Sequence, residues 1–593
     1  MKIRDRLPSV HSLAGCLHHY PEEICQDVER ISIPPSPNED WIAHLPDTGW
    51  SPGNGCAIKN WPIPLATYSS GLKDIDWFKK DADEENSFAL HRFTWLLRLL
   101  SQAPSQSDLT KADRIIMDWI EKVDPARHSL AWTTYSVSER VVNWLLFLCA
   151  TKQHRDIDAQ SAGIIGASLI EHLRHIMMHL EYYGKAYNNH ILNDARALYI
   201  GGRFLHLPQV AHLGKILFQQ CLPRLVDEEG SLLEGSSHYQ LLLTRTLVEI
   251  LWAAKVSGDS DFSRWAENVA SEMCACCLYL GGLSPSDNFV DTFPRIGDLS
   301  PDYPVSWFYP DPECCCELES WQRLWDTATV SSLLKAKGGR KKLNGKQWKR
   351  VAIPLSPLKV LVHTPQQPGL YPSAHGHLDF GGFLLDDASG PVLVDRGRIS
   401  YNADDHGTYG FSARAHNTTL INGFSILPDC RGIYSGYNEY VSHGTKIDVH
   451  DCGLKKIISW QTNALERLGK DITWQRELVI KPDCMESMEV ISNPRGVAIK
   501  SESYLHWAPG WTILNSGENN TGDFLIGKNG RVYNLKIEMM PKESGTIELF
   551  EGTPGSATGW QIPDYGVRIP ALTMGLFLQT SHDCSVRFLL CPV

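Results

Sequence analysis

The segment from 375 to 423, HGHLDFGGFLLDDASGPVLVDRGRISYNADDHGTYGFSARAHNTTLING, concentrates three pieces of reactive chemistry. It holds a His-x-His-x-Asp run (His375, His377, Asp379), an aspartate closing the apolar stretch VLVD (Asp395), and an Arg-Ala-His-Asn turn containing His416. Imidazoles and carboxylates at this density can bind a divalent cation and still leave one histidine for proton transfer. The other reading of the same residues is a hydrogen-bonded His/Asp cluster that stiffens the domain. Their alternation predicts a strand carrying His375, His377 and Asp379 on one face. Two further motifs lie earlier in the chain. In YYGKAYNNHILNDARAL (182–198), Asn188 and Asn189 stand where asparagine caps a helix, just ahead of His190. In DEEGSLLEGSSHYQLLL (227–243), Glu234, Ser236 and Tyr239 precede an apolar helical run.

These side chains need scaffolds of two kinds. Residues 1–80, rich in Pro, Gly and Trp, read as an irregular arm. From 81 to 335 apolar residues recur every three or four positions, most clearly at Ile165, Leu169, Leu173, Ile176, Leu180 and Tyr183, which marks helices. Helices are predicted near 110–121, 134–152, 191–205, 209–226, 237–256 and 261–281, and their short connections imply antiparallel hairpins. His172, His175 and His179 share one side of such a helix and are expected to face solvent. Residues 336–350 are basic and glycine-containing and read as a linker. From 351 to 593 the period becomes two, in LKVLVHT, GFLLDD, PVLVD, TKIDVH, KKIISWQT, ITWQRELVI, SMEVIS and SESYLHW. Such strands, separated by Gly, Asn and Pro turns, predict an antiparallel sandwich. The fold class is α+β: a helical domain followed by a β-sandwich.

Taken together, the three motifs resemble the heparinase II/III-like polysaccharide lyases, a family related to oligoalginate lyases and dermatan sulfate epimerase, whose members break uronic-acid polysaccharides by β-elimination. The resemblance implies that the helical domain is an incomplete α/α toroid. It also implies that Asn189 binds the uronate carboxylate, that His190 takes part in proton transfer, and that Tyr239 is the catalytic tyrosine. By the same resemblance His375 is catalytic, with its ring directed towards Asn189 and Tyr239, while His377, Asp395 and His416 ligate a structural zinc ion. WTTYSVSERVVNWLLF (132–147) and PRIGDLSPD (294–302) resemble further segments of the family. They add Arg140, Asn143 and Arg295 to Glu234 as substrate-binding residues, with Asp298 bordering the cleft. Arg140 has a second reading as a scaffold ion pair.

The chemistry so implied is demanding. Removing H5 of a uronate builds a carbanion beside a carboxylate, so the site must first offset that charge with hydrogen bonds. A base then takes H5 while an acid protonates O4. Tyr239 suits the acid role and, with a lowered pKa, the base role, with His190 or His375 as the other base. The product ends in a 4,5-unsaturated uronate. An alternative is a uronyl C5-epimerase of polysaccharide biosynthesis, which removes the same proton and returns one to the opposite face. A third is a noncatalytic glycan-binding protein. The identity of the uronate (alginate, heparosan-like, chondroitin-like or capsular) stays open.

Composition bounds the partners. At 593 residues the chain exceeds one core, and 43% hydrophobic with 21% charged residues describes a globular protein. The net charge of −12 argues against nucleic acid, which requires a basic surface. The expected partner is an acidic polysaccharide or oligosaccharide, with a homodimer as an open option. Nineteen Trp and twenty Tyr suit sugar stacking, although most are expected in the core. No apolar run is long enough to span a membrane. Leu13-Ala14-Gly15-Cys16 matches a lipoprotein box, but the preceding LPSVHS lacks an apolar core, so a cytoplasmic location is expected. The adjacent Cys314, Cys315 and Cys316 and the crowded Cys274, Cys276 and Cys277 suit free thiols in a reducing compartment.

Overall fold

The computed structural model describes residues 28, 30–52, 58, 61–64, 75–124, 128–182, 188–281, 293–308, 347–353, 356–364, 375–429, 445–469, 471–516 and 522–593. The lipoprotein-like box, much of the arm, Tyr183, Cys314 to Cys316 and positions 336–346 of the linker lie outside them. The chain divides into two compact units. One comprises Met1–Gly230, Leu242–Cys274 and Ser306–Gly339. The other comprises Ser231–Leu241, Ala275–Val305 and Arg340–Val593.

The first unit is helical, with helices Glu84–Arg92, Thr94–Ser101, Gln106–Lys122, Thr134–Thr151, Ala159–Met178, Asn189–Phe204 and Pro208–Cys221. Most of the helices Ser237–Val256 and Ser260–Gly281 also belong to it. Local chemistry sets their starts: Ser105 and Asp108 form a reciprocal capping box, and Pro208 opens its helix. The stripe Ile165, Leu169, Leu173 and Ile176 is fully buried. Helices Asn189–Phe204 and Pro208–Cys221 approach so closely that a Cβ on Gly202 would lie 2.3 Å from Ala211 N. Only glycine permits that approach. No described helix is long and apolar enough to cross a membrane.

His172 departs from expectation. It is buried, stacks on Trp132 at 4.9 Å and accepts the Arg140 Nε–H at 3.2 Å. Burial, reinforced by the Arg140 charge, holds its pKa well below the usual histidine value. An aromatic partner and a hydrogen-bond donor let an imidazole join the apolar stripe. Nearby, Glu139 lies between Arg196 at 2.9 Å and Arg245 at 2.8 Å, and Arg196 reaches Glu249 at 2.8 Å, all four buried.

The second unit is built on antiparallel sheets. The largest runs, edge to edge, through Thr512–Ser516, Asp523–Lys528, Arg531–Met540, Cys584–Pro592, Met485–Ser492, Thr473–Ile480, Lys456–Thr462 and Lys446–Asp451. A five-stranded sheet orders Gly545–Phe550, Thr573–Thr580, Ile499–His506, Thr419–Ile421 and Phe424–Ser425. A four-stranded sheet takes Trp348–Ala352, Lys359–His363, Phe383–Asp387 and Gly390–Leu393 in sequence order. Their inward faces share one core that includes Val360, Leu385, Leu478, Ile491, Leu505 and Leu590. Alternating burial along Thr473–Ile480 and Met485–Ser492 is the period of two seen in the sequence.

The segment around His375, His377 and Asp379 is not a strand. Pairing begins only at Phe383. Gly381 stands at φ 77°, and a Cβ there would meet the Trp474 ring at 2.4 Å, so the chain turns before it enters the sheet.

Candidate active site

Three segments of the second unit interlock around Gly297. The His375 N–H donates to Glu234 O at 3.1 Å, the Asp298 N–H to His375 O at 2.9 Å, and the Ser237 N–H to Ile296 O at 3.0 Å. Gly297 has φ 75°, and a Cβ on it would lie 2.6 Å from both Gly235 O and His375 O. The Ile-Gly-Asp turn therefore requires glycine. Ser236 Oγ donates to Asp298 O at 2.8 Å and accepts the Tyr239 N–H at 3.1 Å, which ties the start of the helix Ser237–Val256 to the same turn.

This framework sets Tyr239 against His375. The rings stack with centroids 3.5 Å apart and planes 16° from parallel. The Tyr239 hydroxyl lies 3.1 Å from the Tyr401 hydroxyl, which donates to Leu299 O at 3.3 Å. Tyr401 lies beneath a cation, the Arg398 guanidinium 4.5 Å from its ring centroid.

Asp298 is the hub. Its carboxylate meets His375 Nδ1 at 3.2 Å and His377 Nε2 at 2.9 Å, and accepts Arg398 Nη1–H at 2.9 Å. Burial alone would raise its pKa, but the His375 and His377 hydrogen bonds and the Arg398 charge outweigh it and hold the carboxyl well below the usual range. His375 Nε2 lies 3.9 Å from the Glu234 carboxylate.

His377, Asp395 and His416 also converge, each offering one ligand atom within 4.8 Å of the others. His416 Nδ1 lies 2.7 Å from Asp395 Oδ2. Burial opposes charge on His416, yet the Asp395 carboxylate raises its pKa; burial lowers that of His377 to about 4 despite Asp298. His377 Nδ1 and His416 Nε2 are buried without a hydrogen-bond partner. Buried polar nitrogens are seldom left unsatisfied. His377 thus keeps one nitrogen on Asp298, outside the trio, and the other open, the arrangement of a metal-ligating histidine with an orienting partner, while His416 keeps Nε2 open beside Asp395 of the same trio. The donor set fits zinc.

Asn189 and His190 belong to the first unit. Asn189 opens the helix Asn189–Phe204, and the Asn188 side chain caps it by accepting the His190 N–H at 3.1 Å. His190 Nδ1 lies 3.0 Å from Glu181 Oε1, and its ring packs 4.6 Å from that of Tyr135. The Glu181 N–H donates to Asp194 at 2.8 Å; burial, with the Glu181 charge, raises the Asp194 pKa.

The four residues expected to bind substrate, Arg140, Asn143, Glu234 and Arg295, are all buried. Arg140 donates to His91 O and Ala131 O at 2.9 and 3.0 Å, and Asn143 to Arg92 O at 2.8 Å. Arg295 donates to Pro563 O at 2.9 Å and to Phe293 O, while Glu234 faces His375. A guanidinium offers five donors, so it is well suited to binding several carbonyls of irregular backbone at once. Arg398 and Tyr401 were not anticipated. Their one sequence signal is that they follow Asp395 within the histidine-rich segment.

Residues 356–568 match the family model for the Heparinase II/III-like, C-terminal domain. No curated protein sequence matches the chain. Among solved structures, a crystal structure of heparinase III is similar at 12% identity and TM-score 0.66, covering 98% of this chain and 91% of that one. The heparan sulfate lyase HepC of Pedobacter heparinus, as a mutant, is similar at 14% identity and TM-score 0.53, covering 96% and 88%. The helical region followed by a sheet-rich domain in this chain matches the heparinase III fold. Residues 356–568 are thus similar to the heparinase II/III-like C-terminal domain, and the fold of the chain is similar to that of heparinase III.

Proposed function

We propose that this protein is a polysaccharide lyase that cleaves a uronic-acid-containing polysaccharide or oligosaccharide by β-elimination. The observation that carries the reading is the Tyr239 phenol stacked on His375 and hydrogen-bonded to Tyr401, with Asp298 behind the imidazole. In the reaction a base removes H5, the C–H electrons form the C4–C5 double bond, the C4–O4 bond breaks, and O4 takes a proton from an acid. Tyr239 is the acid. An ionised Asp298 on Nδ1 fixes the His375 tautomer and leaves Nε2 as the basic atom. That makes His375 a base suited to H5, with a deprotonated Tyr239 as the other base. Asn189 and His190 keep the roles that the resemblance gives them, and Asn189→Ala is expected to lower turnover.

We assign His377, Asp395 and His416 to a zinc ion of structural role. When bound, zinc joins the segments that carry these three residues by strong metal–ligand bonds. Asp298 orients His377 for that bond through the same carboxylate that holds His375.

The reading is tested by incubation with a panel of uronic-acid polymers, following ultraviolet absorbance of the unsaturated product, with NMR in heavy water. A rise in absorbance with new unsaturated ends is expected. Deuterium at C5 with inverted configuration and no double bond would replace the lyase by a C5-epimerase.

A further inference from the structure

A small hairpin beside the tyrosine pair carries chemistry that the elimination does not use. Its strands are Trp560–Gln561 and Ile569–Pro570. Between them, Tyr565 accepts the Tyr401 N–H through its hydroxyl at 3.1 Å, and the two tyrosine rings stack at 5.8 Å. The Ile562 N–H donates to Arg396 O at 2.8 Å and the Gly566 N–H to Ile399 O at 3.0 Å. Both arms of the hairpin are thus tied to the segment bearing Arg398 and Tyr401.

Past Tyr565, Arg568 is exposed, and its guanidinium lies 4.5 Å over the Trp560 ring. It makes no ion pair among the described residues. Arg398, by contrast, is spent on Asp298, and Arg396 on His506, Thr573 and backbone carbonyls. His406, in the first turn of the helix Asp405–Phe411, lines a narrow cleft together with Tyr409, Trp560 and Arg568. A guanidinium stacked on an indole is oriented without spending its in-plane donors, which suit a carboxylate or sulfate bidentately. In a chain of net charge −12, an unpaired cation tied to the tyrosine pair is a local attraction for an acidic polymer.

We propose that Trp560, Arg568 and His406 form a subsite that grips the anionic group of a sugar unit flanking the one that reacts at Tyr239. The indole edge and the guanidinium present an apolar surface and a charge together, as one ring face and one acidic substituent of a sugar require. The inference rests on the polysaccharide reading above and adds where the polymer is held and by what.

Affinity electrophoresis of the full chain tests it, in gels containing an unsulfated uronate polymer, a sulfated one, or a neutral glucan. The variants are Arg568→Ala, Arg568→Lys and Trp560→Ala, each in a Tyr239→Phe background so that binding is read without turnover. Arg568→Ala is expected to weaken binding to an acidic polymer about tenfold, the loss of one charge-assisted hydrogen-bond pair, with partial recovery in Arg568→Lys. Retardation by the neutral glucan should not change. Loss in the sulfated gel alone assigns the group as sulfate; loss in both gels assigns it as carboxylate. Unchanged retardation in both acidic gels, or no retardation of the parent in either, overturns the subsite. Normal turnover by Tyr239→Phe combined with weakened binding in Arg568→Ala would overturn the catalytic reading and leave the subsite standing.

Discussion

Glu139 in the helical unit and Asp298 in the sheet-rich unit are both buried carboxylates surrounded by cations, yet they do different work. Glu139 is closed on every side: its partners Arg196 and Arg245 are at most 2% exposed, and burial, which would raise its pKa, is overcome by both charges to leave it at about 2. Asp298 is also held below the carboxylate range, by its histidine hydrogen bonds and Arg398, but one of its partners, His375, is 13% exposed and stacks on a partly buried tyrosine. A buried ion network whose members are all permanently charged and enclosed is scaffold. One that ends on an imidazole reaching solvent can pass a proton outward.

The sharpest break of that comparison is Tyr239→Phe, which removes only a hydroxyl. Turnover is expected to fall roughly 100- to 10,000-fold with the thermal midpoint unchanged. Near-normal activity would eliminate Tyr239 as the acid.

Replacing each carboxylate by its amide comes next. Glu139→Gln leaves two enclosed guanidiniums short of a counter-charge and should cost about 3–5 kcal/mol in denaturant unfolding, with kcat and KM per folded molecule unchanged. Asp298→Asn should instead lower kcat out of proportion to its stability loss, since His375 loses its anchor. Equal behaviour of the two variants would erase the distinction.

Within the Asp298 cluster, two histidines two residues apart should separate. His377→Ala is expected to lower zinc content and the thermal midpoint, whereas His375→Ala lowers turnover with zinc retained. Metal analysis that finds no zinc in protein never exposed to chelator would remove the metal from the account.

Acid stability divides by residue type. Burial holds His238 at about 4 and, with the Arg140 charge, His91 at about 3, against an ordinary 6.5. Their folded pKa values are depressed, so the unfolded chain binds more protons below 6.5. The stability they contribute is complete above that pH and is lost as pH falls towards about 4 and then about 3. Asp298 is depressed below the carboxylate range, so its contribution is lost only in stronger acid. Midpoints recorded across that range should decline before Asp298 titrates; a flat profile down to pH 4 would contradict the histidine assignment.

The smallest effect is local. Asn188→Ala removes the cap of the helix that presents Asn189 and His190, and should cost about 1 kcal/mol.

Much of the molecule was legible because it depends on neighbours in the chain. Helices at 134–151 and 237–256 and strands at 456–462 and 473–480 fall where a period near 3.6 or of two predicts them. Asn188 caps the helix that its residue type suggests. Period reports which face is covered, and that is a property of one element at a time. It misled at His375, His377 and Asp379, where alternation suggested a strand but Gly381 and Gly382 turn the chain first.

By itself, then, the sequence determined the order of helical and sheet-forming segments, the helix cap at Asn188 and the residue types available for proton transfer. Tertiary structure alone decided that Arg140, Asn143, Glu234 and Arg295 lie inside, that Asp298 joins His375, His377 and Arg398, and that Tyr401 meets Tyr239. The physical reason is separation along the chain. Asp298 meets partners 77, 79 and 100 residues away, and Tyr239 meets Tyr401 across 162. No local periodicity encodes contacts of that span, because they exist only once the sheets and the Gly297 turn have brought the segments together.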